Sequence, residues 1–422
     1  MNILVHTWVF SKYRGSEFSV AYNFVKEMSK RHHLYVLVES NALEWNDLSE
    51  LNGGGYSELK NVDFITVPHE NKCILYLCYK ITWWFKYFLY KGWERGIYRY
   101  LRKSGLMEKI DLIHYAAPVG YREPGFLHRF GKPYVWGPFG GMYTIPRDFI
   151  AAVPPKTRYV WRVKNLLNAI QFRSPRIRRV FKRADVLIAC TKMQRNMVNA
   201  LLKDGRCRYL SENGIDYERQ QAVGDDFIER KFSAECVNML WVGRNDINKN
   251  ARLLLDALAR CRTGDFRCTF VGEGCAELAG LVHDERLRSR LSFYDALPRE
   301  RVLAMYRDAH LLVITSAMEG NPTTIWEAFE NCVPIMTVDH CGMGDVVRHE
   351  ETGIKIPVAD YETMCAGFAE GIDRVCGNHD LLKSFARNIK SSSYEYSQEY
   401  RIDFFERCYE DAIRSYTARG AL

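Results

Sequence analysis

Short apolar runs rich in β-branched and aromatic residues recur along the chain, with stretches of helical periodicity between them. Asn2 to Val9 predicts a strand, Glu17 to Arg31 a helix and Leu34 to Glu39 a second strand, a β-α-β opening. DLIHYAAP (Asp111 to Pro118), PYVWGP (Pro133 to Pro138) and ADVLIACT (Ala184 to Thr191) predict further strands. After the turn-like SENGID (Ser211 to Asp216) the rhythm restarts with VNMLWVG (Val237 to Gly243), CTFVGEG (Cys268 to Gly274), LSFYDAL (Leu291 to Leu297), HLLVITS (His310 to Ser316) and VPIMTVD (Val333 to Asp339). Alternation of this kind predicts an α/β chain of two Rossmann-like halves, about 200 residues each, with parallel sheets. The stretch from Ser397 to Tyr416 keeps helical spacing with no strand after it and predicts a terminal helix. The expected division is 1–212, 213–396 and a helix at 397–422 that packs back on the first domain.

Composition narrows the class. A length of 422 residues exceeds one ordinary core, and 47% hydrophobic with 26% charged residues excludes a disordered or fibrous chain. Thirteen Cys are scattered without a CxxC pair, which points to a reducing compartment and away from a disulfide framework or zinc site. The opening MNILVHTWVF has no basic segment before a long apolar one, so a secretory signal is not expected and the chain reads as cytoplasmic.

The formal charge of +8 is concentrated. Cys73 to Lys103 holds seven Lys/Arg and one acid, and Lys156 to Arg183 holds ten Lys/Arg and none. Such stretches suit an anionic surface or ligand: a membrane, nucleic acid or a phosphorylated substrate. Lys80 and Lys86 interrupt the apolar run of the first stretch, so it does not span a bilayer. Its aromatics, Trp83, Trp84, Phe85, Phe88 and Trp93, lie among Lys91, Arg95, Arg99 and Arg102, which fits an interfacial helix at the inner face of the cytoplasmic membrane. The alternative is an amphipathic helix packed on the first domain. No helix-turn-helix, RNP or zinc-finger pattern accompanies the charge, so nucleic acid is not expected.

Three segments carry candidate chemistry. In TSAMEGNPTTIWEAFENCVPIMTVD (Thr315 to Asp339) a strand ends, a Gly-Asn-Pro turn follows and a helix opens at Thr323 or Thr324, the outline of an anion site. Glu319 and Glu327 can enter one crevice and accept hydrogen bonds from sugar hydroxyls; the plainer reading has Thr323 capping the helix and Glu327 solvated. In WVGRNDINK (Trp241 to Lys249) Arg244 and Lys249 follow a strand terminus, a pair of cations suited to a diphosphate leaving group. Gly15, just before the first helix, lets backbone approach phosphate. The first βα turn lacks G-x-G-x-x-G, which weighs against NAD or FAD.

VGRNDINK (Val242 to Lys249), VGEG (Val271 to Gly274), LSFYD (Leu291 to Asp295) and EGNPTTIWE (Glu319 to Glu327), in this order, resemble the retaining glycosyltransferases of family 4, which have the GT-B fold. RGSEF (Arg14 to Phe18), REPGFL (Arg122 to Leu127), PYVWGPFGG (Pro133 to Gly141) and NGID (Asn213 to Asp216) extend the resemblance upstream. It implies two Rossmann-like domains facing across a cleft, with a sugar nucleotide held by the second. Arg244 and Lys249 would hold the diphosphate, Glu319 the sugar hydroxyls and Glu327 the ribose. Gly15, Gly243, Gly272 and Tyr294 would lie on the donor side. The amides of Gly320, Asn321, Thr323 and Thr324 would surround sugar and phosphate, Pro322 having no N–H to offer. His114, Arg122 and Glu123 fall on the acceptor side. His114 matches the first residue of the family's HxH, whose second position is Ala116 here, and Asp295 stands where a Gly is common.

With the resemblance, the two basic stretches suggest an acceptor carried on a lipid diphosphate, and the chain reads as moving a hexosyl group from a nucleotide sugar, UDP-linked first and GDP-linked second, to a lipid-linked or oligosaccharide acceptor in bacterial surface polysaccharide synthesis. No metal and no cofactor are expected, the two cations taking a metal's place. A catalytically silent nucleotide- or sugar-binding subunit and a soluble enzyme making a small glycoside are the competing readings.

Overall fold

The computed structural model describes residues 1–12, 17–39, 55–67 and 86–420. Buried Ile, Leu and Val on both sides of short strands produce two parallel sheets, as expected when helices cover both faces. In the first, β1 (Asn2–His6), β2 (His33–Glu39), β3 (Val62–Val67), β4 (Leu112–Tyr115), β5 (Tyr134–Phe139), β6 (Val186–Ala189) and β7 (Cys207–Tyr209) take the order β3-β2-β1-β4-β5-β6-β7. In the second, β8 (Val237–Val242), β9 (Phe266–Val271), β10 (Leu291–Tyr294), β11 (Leu311–Ile314), β12 (Ile335–Val338) and β13 (Gly353–Ile356) take the order β10-β9-β8-β11-β12-β13. β3, β7 and β13 are absent from the sequence expectation.

The chain divides into two compact units. One comprises Met1–Met142, Ala169–Glu212 and Arg401–Leu422, and the other Tyr143–Asn168 and Asn213–Tyr400. Residues 143–168 therefore do not belong to the first domain, where sequence placed them. Phe149, Ile150 and Trp161 are buried in the second unit's core with Leu253, Phe368 and Ile372, and that packing decides their membership. The long basic stretch is split accordingly, its portion from Arg173 to Arg183 lying in the first unit.

Within the first unit, alternation on β4 sends Tyr115 to one face and His114 to the other. His114 is fully buried: its Nε2 donates to the Gly137 carbonyl at 2.7 Å and its Nδ1 accepts from the Tyr409 hydroxyl at 2.7 Å. Burial pushes its pKa from 6.5 down to about 4. The folded pKa lies below the unfolded one, so as pH falls the unfolded chain binds this proton first. Stability is whole above about pH 6.5 and declines toward pH 4. The first unit should lose about 2 kcal/mol from this group between pH 7 and pH 5, measured by urea unfolding. His114→Gln should flatten that part of the slope; an unchanged slope would acquit His114.

Candidate functional site

β8 and β11 are neighbours whose chain connections leave in opposite directions across the second sheet. Loops at the carboxyl ends of such a pair line the crevice where α/β sheets take ligands. The loop after β8 carries Arg244 and Lys249, and the loop after β11 carries Glu319 to Pro322. Asp246 folds the first loop by accepting from the amides of Asn248, at 2.9 Å, and Lys249, at 3.0 Å. The two loops are stitched together: Ala317 N–H donates to the Asn248 carbonyl at 2.7 Å, and the Thr315 hydroxyl donates to the Lys249 carbonyl at 2.9 Å while accepting from Trp241 Nε1.

This scaffold sets Lys249 Nζ 2.8 Å from Glu319 Oε2, both side chains mostly but not wholly covered. The stem of Lys249 runs over Gly243, where an added Cβ would meet Lys249 Cδ at 3.3 Å. Gly272, at φ 143°, lies against the Gly243 carbonyl. Arg244 is 68% exposed and pairs with Asp246 at 3.2 Å, so its fork is held loosely.

The helix Thr323–Glu330 opens after Pro322, which occupies the N-cap in place of Thr323. Proline has no side-chain acceptor for the first-turn amides, so these N–H groups of Thr323 and Thr324 keep their donor capacity at the positive end of the helix. Asn321 Oδ1 accepts from Trp326 Nε1 at 2.7 Å, fixing the turn to its own helix. Glu327, one turn in, is not a solvated residue: its Oε2 accepts from the Tyr306 hydroxyl at 3.0 Å and its Oε1 lies 3.4 Å from Arg299. Burial, and then the Glu327 charge, push the Tyr306 hydroxyl well above its ordinary pKa, keeping it a donor. A carboxylate offers about four acceptor positions, so two remain.

Sequence reasoning missed four residues here: Tyr306 and Arg299, which hold Glu327, and Tyr143 and Gly342, which border Gly320. A Cβ on Gly320 would overlap the Tyr143 hydroxyl, and one on Gly342 would overlap the Gly320 carbonyl. Gly342 N–H also donates to the Glu319 carbonyl at 3.2 Å. The cluster HCGMGD (His340 to Asp345) after an apolar strand was the available signal for Gly342; Tyr143, far away in sequence, had none.

The remaining expected positions fall elsewhere. Tyr294 ends the edge strand β10 and is exposed. Asp295 accepts from Ala276 N–H at 3.2 Å, so the residue in the glycine position steadies the start of the helical turn Cys275–Leu281. His114 is corrected from acceptor side to core, since both ring nitrogens are engaged in the interior. Arg122 donates to Gln171 at 2.8 Å and to the Gly141 carbonyl at 3.2 Å, and Glu123 lies 2.6 Å from Arg176. Gly15, Trp83 and Trp84 lie outside the described residues. Lys91, Arg95 and Arg99 sit on the helix Lys86–Ser104, which packs Leu89, Tyr90, Trp93 and Ile97 into the first unit's core. Trp93 is thus a core residue rather than an interfacial ring, its Nε1 donating to the Val67 carbonyl at 2.8 Å. Among the described residues no helix is long and apolar enough to cross a membrane.

Residues 229–392 match the family model described as glycosyl transferases group 1. A putative colanic acid biosynthesis glycosyltransferase of Salmonella typhimurium is 23% identical over 223 residues, 50% of this chain and 52% of that protein. The N-acetylgalactosamine-N,N'-diacetylbacillosaminyl-diphospho-undecaprenol 4-alpha-N-acetylgalactosaminyltransferase of Campylobacter jejuni is 24% identical over 221 residues, 50% of this chain and 56% of that protein. The chain thus spans about half the length of the curated relatives it matches. A solved glycosyltransferase of Rickettsia africae superposes with a TM-score of 0.62 at 14% identity, covering 98% of both chains, and shares the fold. Residues 229–392 thus match the group 1 glycosyl transferase model, and the two parallel-sheet units share the fold of the solved glycosyltransferase.

Proposed function

We propose that the chain moves a hexosyl group from a nucleotide sugar to a lipid-linked or oligosaccharide acceptor in bacterial surface polysaccharide synthesis. The observation that carries the reading is the Lys249–Glu319 pair, 2.8 Å apart at the mouth of β8 and β11 and beside an N-cap that lacks a side-chain acceptor. On this reading Lys249, Arg244 and the first amides of the Thr323–Glu330 helix receive the diphosphate, while Glu319 orients Lys249 and takes a sugar hydroxyl. The bond from the anomeric carbon to the diphosphate oxygen breaks as that from the acceptor oxygen forms on the same face. The hydroxyl proton passes to the departing diphosphate, so configuration is retained without a protein nucleophile. Charge growing on the leaving group is where fixed cations and amides act most strongly. The names of the Salmonella and Campylobacter relatives favour a polysaccharide product and a lipid-diphosphate acceptor respectively. Attachment to a membrane surface is favoured by the helix Pro155–Phe172, which exposes Tyr159, Val160, Leu166 and Leu167 among basic residues.

The test is a panel of UDP- and GDP-sugars read by thermal stabilisation and then by turnover, with and without a chelator. A sugar nucleotide that stabilises the protein and is consumed with retention, indifferent to the chelator, fits the proposal; binding without turnover would leave a silent module. Glu327→Ala should weaken the affinity for the free nucleotide about tenfold, because a ribose hydroxyl loses its carboxylate acceptor. Glu319→Ala should instead chiefly relax discrimination among donor sugars, changing free-nucleotide affinity less than Glu327→Ala does. Equal nucleotide affinity in wild type and Glu327→Ala would make the ribose assignment wrong.

A further inference from the structure

The two basic stretches meet in the first unit. The helix Lys86–Ser104 contributes Lys91, Arg95 and Arg99, spaced four residues apart and so on one face. The helix Pro175–Arg183 contributes Arg176 and Arg179, and the loop between β4 and β5 contributes Arg129. These six cations surround one cavity of about 470 Å³.

Local stability argues against this arrangement. Like charges four residues apart weaken a helix, and Arg176 stands in the first turn of its helix, where the dipole disfavours a cation. Positions that break local rules together are where a ligand is to be sought. Arg176 pairs with Glu123 at 2.6 Å, but Lys91, Arg95, Arg129 and Arg179 form no ion pair with any described residue. The guanidinium groups are aimed by aromatic contact: Arg129 lies 5.0 Å and Arg176 5.5 Å from the ring of Phe126, and Arg129 lies 5.9 Å from that of Tyr98.

The cavity floor is held from inside. Gly125, which borders the cavity, has φ 61°, and an added Cβ there would overlap Glu94 Oε2, so the loop rests directly on that carboxylate. Glu94 is fully buried, 2.8 Å from His6 Nε2, and accepts from the Tyr115 hydroxyl at 2.8 Å. Tyr115 is stacked on the His6 ring at 4.0 Å. A network this enclosed fixes its members in one geometry.

We propose that this cavity is a second anion site, separate from Arg244 and Lys249, that binds a phosphate or diphosphate group. Arg outnumbers Lys five to one in the lining, which suits the planar, bidentate recognition of phosphate oxygens, and the concave shape suits a discrete group better than a flat surface. His128, also in the lining, reports the local potential: burial, followed by Arg183, Arg129, Arg176 and Arg179, brings its pKa from 6.5 down to about 4. A bound anion offsets that field and raises the value. The inference deepens the reading of a lipid-diphosphate acceptor and rests on it for the source of the group.

The probe is inorganic pyrophosphate, titrated calorimetrically into the full-length Lys249→Ala variant so that the donor site contributes little. Saturable binding is expected, with a dissociation constant raised at least about tenfold when Arg95→Gln and Arg179→Gln are added, both residues being exposed and expendable for folding. The His128 ring resonances should titrate at higher pH with pyrophosphate present. Competition by phosphatidylglycerol vesicles identifies a lipid-borne phosphate; binding without such competition identifies a soluble one, and either supports the site. Absent pyrophosphate binding, or binding indifferent to the two substitutions in a protein with unchanged thermal midpoint, overturns it. Wild-type turnover is measured alongside: a silent protein that still binds pyrophosphate at this cavity refutes the transfer reaction and leaves the pocket standing.

Discussion

Lys249→Ala is expected to lower turnover about 100-fold, and Arg244→Ala only about tenfold, with the best sugar nucleotide of the panel as donor. One preorganised hydrogen-bond donor removed from a developing anion costs about 100- to 1,000-fold in enzymes generally. Lys249 earns the larger figure on geometry: it is mostly covered, its stem lies over Gly243, and Glu319 fixes its ammonium at 2.8 Å. Arg244, 68% exposed, sits nearer to water, where screening weakens its hold on a leaving group. Single-turnover rates at saturating donor isolate the chemical step. Near-normal rates for both variants would exclude the two cations from leaving-group stabilisation, and equal losses would contradict the ranking.

Gly342→Ala should destabilise the second unit by about 1–3 kcal/mol, a size typical of overpacking. The added methyl would overlap the Gly320 carbonyl, a backbone atom that no rotamer change can move aside. Because Gly342 N–H also donates to the Glu319 carbonyl, the displacement falls on the loop that presents Glu319 and Gly320. A drop of about 2–12 °C in the unit's melting temperature is expected, together with weakened binding of intact sugar nucleotide. Wild-type melting and wild-type binding would mean that the loop accommodates the methyl without moving.

The alternation of buried runs made both sheets legible, and most strands lie within the expected limits. The three strands that escaped have physical reasons. β3 lies at an edge with partly exposed residues, β7 has only three residues, and β13 follows a turn in a short GIKI run with a lysine inside it. Edge and very short strands lack the double-faced burial that marks a central parallel strand. The loops of the candidate site were readable because Arg244, Lys249, Glu319 and Glu327 are close in sequence to the strand ends that aim them. Tyr143, Tyr306 and Arg299 were not, being brought to these loops by packing across the unit. His114 was misread because sequence registers an imidazole on a strand without saying which face it takes; Phe24, Phe405 and Tyr409 surround it. The basic stretches were visible as charge, whereas their convergence on one cavity depended on helices separated by more than 70 residues.

The long helix Gln398–Gly420 closes the first unit from the far end of the chain. Its Asp403 and Glu406 hold Arg31 at 2.9 Å and His32 at 2.7 Å, Tyr409 holds His114, and Ile402, Phe405, Cys408 and Ala412 are buried. A ribosome making this protein therefore releases the first sheet early and its cover last. Until residues 401–412 emerge, the faces of Phe24 and His114 that they cover stay wet, and the nascent first unit exists as an unfinished fold while the entire second unit is being synthesised. A chain cut between the units should accordingly yield an aggregation-prone amino-terminal fragment, rescued by supplying the terminal helix in trans.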